Sequence, residues 1–239
     1  MLRGIETLPS RMERIMAELK TWSYSAATTY EECPKKYYHL YVAKDIKQDG
    51  NSPALLFGNE VHKACELYIG KGKPLPEKFE AYQPTLDRLK QIKGEKHCEL
   101  KLGLTKDLEP CGFFDSNVWW RGVADLLILD KENGVATSVD YKTGKSSERA
   151  DPRQLSLLSI AIFKHFPEIK VIKAGLVFLV AKDLVKESHH ADNIGEMWEE
   201  WLPLIKRIEG SYESGVFNAN PNYLCKNWCP VKSCAHCGK

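Results

Sequence analysis

The stretch 117-NVWWRGVADLLILD-130, the tetrapeptide KENG and then 135-VATSVDYK-142 constrain the fold more than any other part of the chain. Two apolar, branched runs of strand length flank a short polar turn that ends in Gly134. That pattern predicts two antiparallel strands meeting at the turn. Each strand carries an acid, Asp125 on the first and Asp140 on the second. Strand side chains alternate between faces, so Asp140 and Lys142 project to one side and Tyr141 to the other. With a tight turn between them, Asp125 and Asp140 face one cleft if the register brings them to the same end of the pair.

The rest of the chain supplies helical cover. Residues 1–20 read as a polar helical lead-in. Ser25 is placed to cap a helix through about Cys33, interrupted by Pro34, and KKYYHLYV forms a second, aromatic helix whose tyrosines are half-buried. Ser52-Pro53 is a helix start, with a capping hydroxyl and a proline in the first turn. That helix runs to about Ile69 and carries His62; 70–76 break the chain, and a polar helix follows over 77–92. Strands are expected over 96–104, 117–130, 135–142 and 170–181. An apolar helix starts at Asp151-Pro152 and runs to about Phe166, and a later one is anchored by Met197, Trp198 and Trp201. This order predicts an α/β protein with a central mixed sheet flanked by helices. The expected organisation is a single domain over 1–239: a helical N-terminal part to residue 95 that carries His62, a central sheet and helices over 96–210, and a cysteine-rich tail over 211–239.

Composition limits the function classes. The net charge is only +2, so no global basic field points to nucleic acid, and such a role needs a local patch. Lys35 and Lys36, then Lys142, Lys145, Arg149 and Arg153, are candidates. No apolar run approaches the roughly eighteen residues of a membrane span, and the N-terminus lacks the apolar core of a signal peptide. A cytoplasmic protein without a membrane role is expected. In that compartment the eight cysteines read as free thiols or metal ligands rather than disulfides.

Two groups of residues carry chemistry. Asp125 is flanked by Val123, Ala124, Leu126 and Leu127; an unpartnered acid there costs several kcal/mol to bury. An ion pair or a divalent cation shared with Asp140 answers that cost, since hard cations take carboxylate oxygens. Lys142 beside Asp140 reads either as a surface ion pair or as the amine that handles water and phosphate. His62 on its helix and Glu99 on an amphipathic strand are further candidates. The second group is the tail, 225-CKNWCPVKSCAHCGK-239, with Cys225, Cys229, Cys234 and Cys237 within thirteen residues. Such density points to a metal site. Zinc could take all four thiols, with His236 as a substitute, although the spacings are not those of paired C-x-x-C knuckles.

Taken in order, 23-SYSAATTYEECPKKYYHLYV-42, 58-GNEVH-62, 122-GVAD-125, 139-VDYKTGK-145 and 154-QLSLLSIA-161 resemble the RecB-type exonuclease branch of the PD-(D/E)XK nucleases. The resemblance implies a restriction-endonuclease-like core and metal-dependent cleavage of DNA, single- or double-stranded. It implies that His62, Asp125, Asp140 and the carbonyl of Tyr141 bind Mg²⁺ or Mn²⁺, that Lys142 assists the attacking water, and that Gln154 contacts substrate or orders Lys142. Relatives commonly carry tyrosine four residues after that glutamine; this chain has Leu158. Some RecB-like nucleases hold a [4Fe-4S] cluster with one N-terminal and three C-terminal cysteines. By that resemblance Cys33, Cys225, Cys229 and Cys234 are the ligands and Cys237 is spare, with Zn²⁺ the alternative occupant.

The leading expectation is therefore a DNA exonuclease of a phage or of a bacterial recombination and repair system, acting alone, as a homo-oligomer or with repair proteins. A structure-specific endonuclease on the same fold is the alternative enzyme. A non-catalytic, cluster-bearing nucleic-acid-binding subunit is the alternative of a different class.

Overall fold

The computed structural model describes residues 19, 21–47, 50 and 52–238, so the expected helical lead-in over 1–20 lies almost wholly outside the described residues. The helices are α1 (Tyr24–Glu32), α2 (Pro34–Tyr37), α3 (Pro53–Lys71), α4 (Gln83–Gln91), α5 (Arg153–His165), α6 (Ile194–Glu199) and α7 (Leu202–Ser214). The strands are β1 (Glu95–Leu104), β2 (Pro110–Cys111), β3 (Trp120–Asp130), β4 (Val135–Lys142), β5 (Val171–Phe178) and β6 (Asp183–His190). The chain forms two compact units, 49–200 and a second made of 1–48 with 201–239.

Unit 49–200 contains the six-stranded mixed sheet, in the order β2-β1-β3-β4-β5-β6. The KENG turn joins β3 to β4 in an antiparallel pair, with Leu126 opposite Val139 and Asp130 opposite Val135. Helix α5 then carries the chain to β5, which runs parallel to β4. Ser52 caps α3 by accepting the Leu55 N–H at 3.3 Å, and Pro53 occupies the first turn. This helix passes the expected stop at Gly70 and ends at Gly72, whose φ of 65° terminates it in the left-handed conformation. Gly70 is tolerated inside the helix because a Cβ there would lie 3.1 Å from the Cys98 thiol. The expected 77–92 helix divides into a 3₁₀ segment, Glu77–Tyr82, and α4; Pro84 sits in the first turn of α4, where its missing N–H is harmless. Val61, Cys65 and Tyr68 of α3 and Leu86 of α4 form one core with Leu126, Ile128, Val139, Tyr141 and Val177 of the sheet.

Strand β6 escaped the sequence reading. Its residues, DLVKESHH, are mostly exposed, so they lack the apolar signature of a strand. Pairing with β5 along its whole length supplies its stability instead. The late helix anchored by Met197 and Trp198 also ends earlier than expected, before Trp201.

In unit 1–48/201–239, α1 starts two residues earlier than expected. Ser23, not Ser25, caps it, accepting the Ala26 N–H at 3.3 Å. Tyr30 of α1 donates its hydroxyl to the Arg207 carbonyl of α7 at 2.8 Å. KKYYHLYV forms α2 followed by a π-helical turn over Tyr38–Val42. Tyr37 is fully buried rather than half-buried, ringed by Tyr30, Tyr41, Tyr212 and Phe217.

Candidate metal centre

The hairpin register sets Asp125 opposite Asp140, one step beyond the last paired residues, Leu126 and Val139. There the backbone ladder stops and side chains take over. The Tyr141 N–H donates to Asp125 Oδ2 at 2.7 Å. From α3, His62 reaches over the same strand ends. Its Nε2–H donates to the Tyr141 carbonyl at 2.9 Å, and its Nδ1 lies 3.4 Å from Asp125 Oδ1. The contact with Asp125 holds the His62 pKa above its ordinary value, against the opposing effect of burial. With both ring nitrogens protonated, His62 spans the two oxygens, Nε2–H to the Tyr141 carbonyl and Nδ1–H toward Asp125.

Glu99 completes the group. Its φ of 55° is a left-handed conformation inside β1, which breaks strand alternation. Two successive side chains then turn to the α3 side: the Cys98 thiol against Gly70, and the Glu99 carboxylate toward His62. One ligand atom each from His62, Glu99 and Asp125 lies within 4.8 Å of the others. Among the described residues this is the one such cluster of histidine, cysteine or acid side chains. Left-handed backbone at a non-glycine residue costs about 1 kcal/mol or more; here it aims a carboxylate at the site.

Asp140 stands next to this group, 7% exposed. Burial raises its pKa first, and the Asp125 charge raises it further, opposed by Lys142 and His62. Gln154 of α5 donates its amide to Asp140 Oδ1 and accepts from Lys142 Nζ at 2.8 Å. The same ammonium lies 2.8 Å from Asp140 Oδ2, yet that oxygen accepts no directed hydrogen bond and is sealed from solvent. Two crowded acids, one with a spare lone pair, and a histidine make a donor set that fits a hard divalent cation. Leu158, where a tyrosine was the comparison, is buried in α5 and adds no polar group. A separate groove of about 960 Å³ runs between α4 and β5–β6, and none of these site residues lines it.

The cysteines form a second group, in unit 1–48/201–239. Cys33, Cys225, Cys229 and Cys234 line one small cavity with His236. Cys33 Sγ accepts the Asn220 N–H and Cys225 Sγ accepts the Asn222 N–H, each at 3.4 Å. Cys237 instead donates its thiol to the Cys229 carbonyl at 3.7 Å. Burial pushes the Cys229 thiol up, with further contributions from Cys237, Cys225 and Cys33. The Asn220 and Asn222 contributions were not legible beforehand, because they are backbone donors.

The model of the PD-(D/E)XK nuclease superfamily matches residues 21–97 and 86–235. A solved structure from Eubacterium rectale, described as a "Putative exonuclease", aligns over 94% of this chain and 93% of its own, with a TM-score of 0.53 and 13% identity. At that identity the likeness is one of fold. The crystal structure of SSO0001 aligns over 81% of this chain and 83% of its own, with a TM-score of 0.42 and 13% identity. No protein of curated function matches the sequence. Among the described residues no helix is long and apolar enough to cross a membrane.

Proposed function

Because the chain belongs to the PD-(D/E)XK nuclease superfamily, we propose that it is a metal-dependent DNA exonuclease of the RecB-type branch, serving DNA recombination or repair. The observation that carries this reading is the meeting of His62, Glu99 and Asp125 beside the linked trio Asp140, Lys142 and Gln154. His62, Asp125 and Asp140 would hold Mg²⁺ or Mn²⁺, with the Tyr141 carbonyl and Glu99 as additional oxygen donors. Such a cation, when bound, neutralises phosphate charge and lowers the pKa of water. Lys142 supplies the rest of the chemistry. Its Nζ, held by Asp140 and Gln154, orients the attacking water and meets the charge that grows on the phosphate. Gln154 fixes both partners at once and so positions the lysine. The exonuclease assignment draws support from the description of the Eubacterium rectale protein.

The test uses labelled linear DNA and covalently closed circular DNA with Mg²⁺ or Mn²⁺. Linear DNA should be degraded from its ends and circular DNA left intact, with no cleavage in EDTA. Cleavage of the circle would favour the endonuclease, and no cleavage of either would favour a binding subunit.

The same reading assigns a [4Fe-4S] cluster to Cys33, Cys225, Cys229 and Cys234. Their place along one cavity and the N–H groups aimed at two of the sulfurs support it, since hydrogen bonds to sulfur tune such clusters. The cluster would tie Cys33, near the start of the chain, to the tail. Protein purified without oxygen should absorb near ~400 nm and contain iron. Cys225→Ala should lose that absorbance and melt at a lower temperature. Stoichiometric zinc in a colourless protein would reverse the assignment.

A further inference from the structure

Beyond β1 the chain makes the turn 112-GFFD-115 before entering β3. Such a turn has no packing need for two adjacent phenylalanines; small polar residues suit it better. Phe114 is nonetheless 75% exposed, and Phe113 sits edge-on to it with ring centroids 4.9 Å apart. The turn is built rather than loose. Asp115 Oδ2 accepts the Gly112 N–H at 2.7 Å, and the Asp115 N–H returns to the Gly112 carbonyl at 3.1 Å. A Cβ on Gly112 would come within 2.6 Å of the Asp115 carboxylate. Gly103 of β1 lets the turn lie close, since a Cβ there would meet the carbonyls of Cys111 and Gly112 at 3.0 Å.

Two cations crowd these rings. Lys101 Nζ lies 5.1 Å from the Phe114 centroid and 5.7 Å from that of Phe113. The Arg121 guanidinium lies 5.1 Å from Phe113. Both side chains are exposed, and neither is among the ion pairs of the described residues. Their strands are those of the metal centre. Lys101 follows Glu99 by two residues on β1, and Arg121 precedes Asp125 by four on β3. Strand alternation keeps each on the side of its acid, at roughly 7 Å and 14 Å along the strand.

We propose that Phe113 and Phe114, flanked by Lys101 and Arg121, form a platform for single-stranded DNA leading to the metal centre. The rings stack on unpaired bases, and the two cations hold phosphates of the same strand. Aromatic faces accept any base, whereas a paired duplex keeps its bases stacked on one another. The inference rests on the nuclease reading and adds to it the form of DNA that the site takes.

The test is binding of a fluorescent oligonucleotide containing 2-aminopurine, with Ca²⁺ in place of Mg²⁺ or Mn²⁺. Wild-type protein should quench the 2-aminopurine and bind single strands more tightly than blunt duplex. Phe113→Ala/Phe114→Ala should weaken single-strand binding by about tenfold or more and abolish the quenching. Phe114→Trp should keep both, which guards against loss through misfolding. Lys101→Ala/Arg121→Ala should lower the slope of log K against log salt by about 1.4, the value for two single-strand phosphates. Unquenched wild-type complex, or affinity within twofold of wild type in the double phenylalanine variant, overturns the platform. Wild-type cleavage with such unchanged affinity sinks the platform alone. Stacking without any cleavage in Mg²⁺ or Mn²⁺ sinks the nuclease reading and leaves the platform standing.

Discussion

Lys142→Ala is expected to lower the DNA cleavage rate by about 10³-fold, with affinity for DNA changed only a few-fold. The magnitude follows from the two roles open to this ammonium. General acid–base assistance is worth about 10²–10⁴ in rate, and a charge-stabilising donor about 10²–10³. The structure favours a fixed amine over a mobile surface lysine, because Nζ lies 2.8 Å from both Gln154 Oε1 and Asp140 Oδ2. Lys142→Arg should not restore activity. A guanidinium spreads its charge over a planar fork that cannot occupy the place of one compact ammonium between these two oxygens. Single-turnover digestion of end-labelled DNA reads the effect. Cleavage by Lys142→Ala at the wild-type rate would remove the lysine from the mechanism.

Asp140→Asn is expected to abolish cleavage and, at the same time, to stabilise the metal-free protein. The two effects share one cause. Burial and the Asp125 charge raise the Asp140 pKa. A carboxylate with a raised pKa in the folded state destabilises that state at any pH above this pKa, and the penalty fades as pH falls and the acid is protonated. At neutral pH the neutral amide escapes the penalty while keeping the shape of the side chain. It gives up the ion pair with Lys142, which offsets part of the gain. A rise of roughly 2–4 °C in the melting temperature is expected, equivalent to about 1 kcal/mol for a chain of this size. Added Mn²⁺ should raise the melting temperature of the wild type and not that of Asp140→Asn, because a cation that binds only the folded state stabilises it by mass action. Thermal unfolding in EDTA and in Mn²⁺ provides both comparisons. A variant that melts lower than wild type in EDTA would mean that the Lys142 ion pair outweighs the crowding of the two acids.

Much of this arrangement was legible because it is local or periodic. The KENG turn dictates which strands pair, and the pairing it predicts does set Asp125 opposite Asp140. Ser52-Pro53 announces α3 correctly, and with it the helix that carries His62. What escaped depends on backbone geometry that composition does not encode. Glu99 was a candidate from sequence, but the left-handed φ that reverses the alternation of β1 and brings it to His62 and Asp125 was not legible. Strand β6 is polar because it is an edge, and hydrogen bonds to β5 rather than apolar burial hold it in place. The helix over 77–92 was read as continuous, yet Pro84 marks the point where it changes character. The grouping of Cys33 with the tail was expected from the family resemblance, and Cys33, Cys225, Cys229 and Cys234 do line one cavity; the contacts that hold it, such as the Asn220 side-chain amide donating to the Glu32 carbonyl at 2.9 Å, were not legible. Phe113 and Phe114 gave no signal by themselves, since their meaning comes from Lys101 and Arg121 on two other segments.

The most direct measurement is an anomalous difference map from crystals soaked in Mn²⁺. A peak within bonding reach of Asp125 and Asp140, with the His62 imidazole turned from the Tyr141 carbonyl toward the ion, is the predicted result. Saturating Mn²⁺ that leaves these side chains as they are, or that binds only elsewhere on the protein, would contradict a shared cation as the basis of catalysis.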